Sequence, residues 1–170
     1  PERADLLFGL AESKYQLGEF EQASNHYRTI LAEFPNETSA DDSQYNLAWC
    51  LIELNREDEA MVEFGQILQN YPQSEFAPAA QFTFGDYAYN RQQYSEALTA
   101  YRRVQDAYPQ ATVAAQVPRL IDELKEALAY QEYEKGLELM DLADGGGGEQ
   151  DYRRAIDIFS QVRKAYPGTE

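Results

Sequence analysis

Apolar residues recur along most of the chain at the spacing of an amphipathic helix, and short polar breaks separate these segments. In the stretch that ends at Phe34, the residues Ala23, Tyr27 and Ile30 lie four and then three positions apart. Side chains at this spacing share one face of a helix. A proline follows Phe34, and because the residue before proline is pushed out of the α region, it marks the helix end. The pattern predicts an all-α chain.

The segment that ends at Phe34 has three counterparts further along the chain. Each ends in an aromatic–proline pair; the first two intervals between these pairs are 37 residues, whereas the third is 58. The four segments align without gaps and share an alanine, a ring and a β-branched residue, so each is predicted to form a helix with the same apolar face. These positions are Ala23, Tyr27 and Ile30; Ala60, Phe64 and Ile67; Ala97, Tyr101 and Val104; and Ala155, Phe159 and Val162.

A second amphipathic segment lies upstream of each of the first three. A small residue recurs in it at Ala11, Ala48 and Gly85, where two helices would cross closely. Gly18 and Asn55 are helix-ending residues between the paired segments. The sequence therefore predicts helix–turn–helix units in tandem. The three units are predicted at about 3–36, 40–73 and 77–110.

These units resemble the tetratricopeptide repeat. The small residue of the first helix, the aromatic residue at the turn, the alanine and ring of the second helix and the closing proline match that family's pattern. The turn aromatic is Phe20, Tyr94 or Tyr152, and Glu57 departs from it in the second unit. The resemblance implies a right-handed superhelical solenoid of antiparallel helix pairs.

The 37-residue period and two short motifs are similar to one subgroup of these repeats. The motifs are YPQS at 71–74 and AAQFTFGDYAY at 79–89. The subgroup includes the Tol–Pal-associated periplasmic protein and the lipoprotein of the outer-membrane β-barrel assembly machine. This similarity implies a bacterial protein of the periplasm or cell envelope.

After the third proline pair the pattern stretches. Between Pro118 and Asp144 the only turn signal is Gly136, and the apolar stripe favours one long helix at about 114–143. Two helices that meet near Tyr130 are the alternative.

Four consecutive glycines, Gly145–Gly148, precede a last helix that is predicted at 151–166. They lack the lysine and the hydroxyl residue of a phosphate-binding loop, and no strand precedes them. Counted back from Ala155, they fall at the turn of a fourth unit, and Ala143 takes the position of Ala11. By the same count, Leu139 and Leu142 take the positions of Leu7 and Leu10.

Composition narrows the classes of partner and of chemistry. The net charge of −16 disfavours nucleic acid and an anionic membrane surface as partners. The chain has no run of 18 apolar residues, so neither a spanning helix nor direct membrane insertion is expected. His26 and Cys50 are the only residues of their types, which disfavours a catalytic triad and a histidine or cysteine metal site. No catalytic residue, cofactor or metal is predicted.

The resemblance also implies that the first helices line the concave face of the solenoid, where such arrays bind extended segments. Aromatic anchors beside carboxylates suit a protein or peptide segment with apolar and basic residues. Glu12 and Asp86 disfavour the C-terminal carboxylate that better-known members of the family clamp with basic residues. Packing of the rings in the core is the alternative. The predicted rows are Phe8, Tyr45 and Phe82; Glu12, Trp49 and Asp86; and Tyr15, Ile52 and Tyr89.

The predicted function is therefore a non-catalytic scaffold that binds a protein or peptide partner. One alternative is a structural module whose repeat ends stack into homo-oligomers, for which Ile156 and Ile158 are candidates because they lie off the apolar face of the last helix. The other alternative is an accessory repeat domain of a larger envelope protein or enzyme.

Overall fold

The computed structural model describes residues 2–167, which form eight α-helices and one short 3₁₀ helix. The predicted all-α fold is confirmed, because no strand occurs in this range. Helices that follow one another in the chain pack together, and turns of three or four residues join the members of each pair. The helices are α1 (Glu2–Gln16), α2 (Phe20–Glu33), α3 (Ala40–Glu53), α4 (Glu57–Asn70), α5 (Ala77–Asn90), α6 (Tyr94–Ala107), the 3₁₀ helix (Thr112–Gln116), α7 (Val117–Asp144) and α8 (Glu149–Ala165).

The second helix of each of the first three pairs buries the face that its spacing predicts. Ala23, Tyr27 and Ile30 of α2 have no exposed surface, and their counterparts in α4 and α6 are equally buried. Full burial of one such large side chain contributes about 1.5–3 kcal/mol relative to exposure. The repeated rings therefore contribute substantially to core stability, and each alanine allows the neighbouring helix to approach closely.

The helices α2, α4 and α6 end at the aromatic–proline pairs. The backbone N–H groups of Phe34, Tyr71 and Tyr108 each donate to the carbonyl four residues earlier, and proline follows. The Tyr71 hydroxyl then donates to the Pro35 carbonyl at 3.2 Å, and the Tyr108 hydroxyl donates to the Pro72 carbonyl at 3.4 Å. Each of these loops is thus hydrogen-bonded to the loop of the preceding repeat.

The long C-terminal stretch forms one helix, α7, rather than two. It has 28 residues and is about 42 Å long at 1.5 Å per residue. Val117, Ile121 and Leu124 in its first turns join the buried cluster of α5 and α6. Further along, Gly136 and Tyr133 contact Phe159 of α8. The first half of α7 therefore packs against the third repeat, and its second half forms the last hairpin with α8.

The register of this last hairpin differs from the predicted one. Gly136, and not Ala143, occupies the small-residue position. A Cβ atom at Gly136 would lie 2.4 Å from Cε1 of Phe159, just as a Cβ atom at Gly85 would lie 2.2 Å from Cε1 of Tyr101. The predicted equivalences of Leu139 and Leu142 with Leu7 and Leu10 are wrong for the same reason.

The physical cause is that both helices of the last hairpin are longer than their counterparts. α7 continues for eight residues past Gly136, whereas α5 continues for five past Gly85. α8 begins six residues before Ala155, whereas α6 begins three before Ala97. Nearly one turn is added to each helix, so each side chain keeps its face. The four glycines form the turn, in which Gly146 has a φ of +117° that glycine adopts without strain.

Candidate functional site

The nine residues predicted for the concave face all lie on α1, α3 and α5, the first helices of their pairs. We call this set the first-helix face. Tyr89 is 39% exposed, and the other eight residues are half-buried. Every residue of the set therefore both packs against the protein and keeps part of its side chain in solvent. The set is Phe8, Glu12, Tyr15, Tyr45, Trp49, Ile52, Phe82, Asp86 and Tyr89.

The first row of the face packs on the buried rings of the second helices. Ring centroids are 6.0 Å apart for Phe8 and Tyr27, and 5.2 Å apart for Phe82 and Tyr101. In the middle repeat, Tyr45 lies 5.8 Å from Phe64. These rings are partly core material, which the alternative interpretation proposed, but none of the three outer rings is fully covered.

In the second row, each side chain matches the chemistry of the buried ring beneath it. The Tyr27 hydroxyl donates to Glu12, and the Tyr101 hydroxyl donates to Asp86 at 2.5 Å. In the second repeat the buried ring is a phenylalanine without a hydroxyl, and Trp49 packs on it with centroids 5.8 Å apart. A carboxylate therefore stands over each tyrosine and an indole over the phenylalanine.

Burial and these carboxylates act on the tyrosines in the same direction. Desolvation, the hydrogen bond to the carboxylate and its negative charge together raise the pKa of Tyr27 and of Tyr101 well above the usual value. Both hydroxyls remain donors at neutral pH, so they hold Glu12 and Asp86 in place. Sequence reasoning missed these tyrosines as positioning residues. Comparison of the second row with the buried ring across the three repeats was the signal that could have found them.

The third row packs on the aromatic residue at the turn where one is present. Tyr15 and Phe20 have centroids 5.3 Å apart, and Tyr89 and Tyr94 have centroids 5.7 Å apart. Glu57 holds the turn position in the second repeat, and there the row has the smaller Ile52. The rings at both ends of this row are thus supported from below, which lowers the entropy that a ligand must remove on binding.

The two gaps between neighbouring first helices differ in polarity. Between α1 and α3, the Asn46 amide donates to Glu12 at 3.2 Å and to Asp42 at 2.8 Å. Burial first, then the charges of Glu12 and Asp41, raise the pKa of Asp42. Between α3 and α5, Tyr45 stacks on the Phe76 ring at 4.7 Å. The face is therefore acidic near the first repeat and apolar near the second.

The corrected register adds a fourth set of residues that sequence reasoning missed. Tyr133, Leu137 and Met140 of α7 take the three row positions, and they are 45%, 40% and 37% exposed. Tyr133 lies over Phe159 with centroids 5.1 Å apart, the same arrangement as Phe82 over Tyr101. We call these three residues the α7 row. Locating Gly136 as the small residue is the step that would have found them.

Lowering the pH from 7 towards 4 is expected to stabilise the fold. Burial raises the pKa of Asp86 against the opposing effect of the Tyr101 hydroxyl, and burial also raises the pKa values of Asp42 and Glu63. The folded chain therefore binds these protons more tightly than the unfolded chain. Stability rises as pH falls through the folded pKa values and levels off below the unfolded values of about 4. Thermal unfolding followed by circular dichroism measures this.

Two substitutions with opposite expected effects on the Tm isolate the contribution of Asp86. Asp86→Asn keeps an oxygen that accepts the Tyr101 hydroxyl but removes the charge, so it should raise the Tm at pH 7 and reduce the gain on acidification. Asp58→Asn should lower the Tm at pH 7, because the Tyr87 hydroxyl and Arg91 hold the pKa of Asp58 below its usual range. A lower Tm at pH 7 for Asp86→Asn, with the full gain on acidification retained, would contradict the account.

Residues 2–167 offer little other candidate chemistry. No group of three or more histidine, cysteine, aspartate or glutamate side chains that could hold a metal ion occurs in residues 2–167. Cys50 is buried, and burial, reinforced by the charge of Glu12, raises the pKa of its thiol to about 12. None of the helices in residues 2–167 combines the length and the apolar character needed to cross a bilayer.

Comparison with known proteins agrees with the repeat structure. Two family models, both described as tetratricopeptide repeat, match residues 8–75 in one case and residues 79–111 and 124–169 in the other. The second match is interrupted after α6 and resumes inside α7; this helix begins 19 residues before Gly136, whereas α5 begins eight residues before Gly85. No match was found among curated proteins. Because the matched segments cover most of its length, the chain belongs to the tetratricopeptide repeat family.

Proposed function

We propose that this chain is a non-catalytic scaffold that binds an extended segment of another protein along the first-helix face. Tetratricopeptide repeats are in general protein-interaction scaffolds, so the family supports the class of function. The observation that carries the proposal is that all nine residues stay partly exposed while the packing beneath them holds them in place. Such pre-organised aromatic side chains supply contact area at low entropic cost.

The chemistry of the face suggests the chemistry of the partner. None of its nine residues is a lysine or arginine, whereas Glu12 and Asp86 are carboxylates held by tyrosine hydroxyls. The whole chain also carries a net charge of −16. An acidic surface attracts cations and repels anions over about 10 Å at ordinary ionic strength. We therefore infer a partner segment with apolar or aromatic anchors flanked by lysine or arginine, and not a free C-terminal carboxylate.

The first-helix face and the α7 row suggest a long partner segment. The turns of α7 between them expose Glu126 and Asp122, which pairs with Lys125 at 2.8 Å, and both carboxylates share the helix face of Tyr133. A segment that follows this path would place basic residues over the acidic turns and apolar residues at both ends. The similarity of the YPQS and AAQFTFGDYAY motifs to envelope repeats supports a bacterial periplasm or envelope as the setting.

Selection from a random peptide library tests the proposal without a known partner. The immobilised protein is expected to enrich peptides that combine aromatic or aliphatic residues with lysine or arginine. Tyr89→Ala should weaken their binding about tenfold, the cost of losing one aromatic anchor. Asp86→Asn should weaken only the peptides that carry basic residues, and should flatten their dependence on salt.

A matched control separates the face from the rest of the surface. Val62 on α4 is 59% exposed and lies outside the first-helix face, so Val62→Ala should leave peptide affinity unchanged. Enriched peptides that bind Tyr89→Ala and Asp86→Asn as tightly as the unsubstituted protein would overturn the assignment of the site. Enrichment of acidic peptides would overturn the inferred chemistry of the partner.

A further inference from the structure

A groove of about 570 Å³ lies inside the repeat array, where α4, α5 and α6 meet. Its α5 residues are on the side of that helix opposite the first-helix face, so the two surfaces are separate. Small-molecule sites usually have volumes of about 300–1,000 Å³. The groove is therefore large enough for a small ligand. Residues that line it include Leu68 on α4, Phe84 and Ala88 on α5, and Ala100 and Arg103 on α6.

The preceding repeat shows why the groove is open. At the equivalent positions, 37 residues earlier, Leu51 takes the place of Ala88 and is 1% exposed. The half-buried Glu63 likewise takes the place of Ala100. Gln81 is buried beside the groove and donates to the Ala100 carbonyl at 3.2 Å, which compensates the burial of its amide nitrogen. The groove thus arises within the array because two alanines replace larger side chains.

The apolar surface of the groove is aromatic. Phe84 is half-buried, whereas its counterpart Leu47 is 1% exposed. Tyr87 is also half-buried, its hydroxyl donates to Asp58, and Cζ of Arg91 lies 4.2 Å from its ring centroid. Two partly uncovered rings, one of them held in place by its neighbours, suit the apolar body of a ligand.

The rim of the groove carries a cation without an ion pair. Arg103 is exposed and unpaired within residues 2–167, although the whole chain has a net charge of −16. Its counterpart is the neutral Gln66, so this junction has a cation where the preceding one has the anionic Glu63. Glu96 also lines the groove, on the same face of α6 and about 10 Å away at 1.5 Å per residue. An anionic group is therefore attracted to one end of the groove and repelled from the other.

We propose that this groove binds a small amphipathic carboxylate. Its carboxylate pairs with the Arg103 guanidinium, which can offer two parallel N–H donors, and its apolar chain lies over Phe84 and Tyr87. The chain of the ligand runs towards Glu96, whose charge excludes a second carboxylate at that end. The site is independent of the first-helix face, so the scaffold function does not depend on it.

Titration with octanoate, followed by NMR of the backbone amides, tests the proposal. Octanoate is expected to bind with a Kd of about 1 mM, a usual affinity for a ligand of this size. The amide signals of Ala88 and Ala100 should shift, because both residues line the groove. Octanamide has the same length but no charge, and it should bind about tenfold more weakly.

Three variants assign the binding to the groove. Arg103→Gln introduces the residue found at Gln66 and should weaken octanoate binding about tenfold, to the level of octanamide. Ala88→Leu fills the groove with the side chain found at Leu51 and should abolish the binding of both compounds. Arg102→Gln is the matched control, because it removes a neighbouring exposed arginine that does not line the groove, and it should leave the affinity unchanged. Circular dichroism verifies that each variant is folded.

Three results would overturn the proposal. The first is equal affinity for octanoate and octanamide, and the second is unchanged octanoate binding by Ala88→Leu. The third is the absence of octanoate shifts at Ala88 and Ala100, combined with selected peptides that lose affinity in Ala88→Leu and keep it in Tyr89→Ala. That result would identify a segment of a partner protein as the occupant of the groove.

Discussion

Phe64→Ala is expected to lower the free energy of unfolding by about 3–5 kcal/mol, the usual cost of removing a fully buried ring. Phe64 has no exposed surface, and it supports both Tyr45 and Trp49 at centroid distances of 5.8 Å. Domains of this size have about 5–15 kcal/mol of stability in total. The substitution therefore removes a large part of it. Urea unfolding followed by circular dichroism measures the loss.

Phe159→Ala is the matched control, because Phe159 holds the same position in the last repeat. Its ring is only half-buried, and it contacts Gly136 and Tyr133 of the last hairpin. Each unit of a solenoid contacts only its neighbours, so loss of the Phe159 ring should unfold only the last hairpin. Hydrogen exchange should quicken in α8 and the second half of α7. Equal losses of stability in Phe64→Ala and Phe159→Ala would contradict the account, because Phe64 is fully buried and Phe159 is only half-buried.

Gly85→Ala is expected to cost up to about 2 kcal/mol of stability, although alanine favours helix formation. The added Cβ would lie 2.2 Å from Cε1 of Tyr101, whose ring is buried and whose hydroxyl is bonded to Asp86. Overpacking of this kind costs about 1–3 kcal/mol, and the helix propensity of alanine returns about 1 kcal/mol. Chemical unfolding of the purified variant gives the net value.

Gly9→Ala is the control for the helix propensity alone. No heavy atom lies within 4 Å of a Cβ atom at this exposed position in α1, so the variant should gain about 0.5–1 kcal/mol. Ala11 and Ala48 hold the position of Gly85 in the first two repeats. The comparison therefore tests whether α5 and α6 approach more closely than the earlier pairs. A stabilised Gly85→Ala variant would show that the Tyr101 ring moves freely.

Local signals were enough to predict the first six helices. Proline at a regular interval, and apolar residues at helical spacing, report on segments of about 15 residues that each form their own backbone hydrogen bonds. The buried faces of α2, α4 and α6 followed from the same spacing, because Ala23, Tyr27 and Ile30 have counterparts at the same interval. Identical surroundings in each repeat made the pattern clear.

The register of the last hairpin could not be predicted in this way. The interval from Gly136 to Ala155 is seven residues longer than that from Gly85 to Ala97, which is close to two helical turns. An insertion of whole turns leaves every side chain on its original face, so periodicity does not reveal it. Only contacts across the hairpin, such as Gly136 beneath the Phe159 ring, assign the register.

The polar part of the candidate site was hidden for a different reason. The bonds from Tyr27 to Glu12 and from Tyr101 to Asp86 join positions 15 residues apart on two helices. Helical spacing relates only residues within one helix, so it does not indicate pairs that join two helices. The nine residues of the first-helix face remain a prediction about binding, and the structure adds the support beneath them.

Trp49 is the only tryptophan of the chain and lies in the middle of the first-helix face. Its fluorescence therefore tests most directly whether this face is the binding surface. The emission maximum and acrylamide quenching of Trp49 are measured while the protein is titrated with a basic, aromatic peptide from the library selection. Binding on the face should shift the emission to shorter wavelength and reduce quenching in proportion to the bound fraction. A peptide that binds fully while both properties of Trp49 stay unchanged would contradict the account.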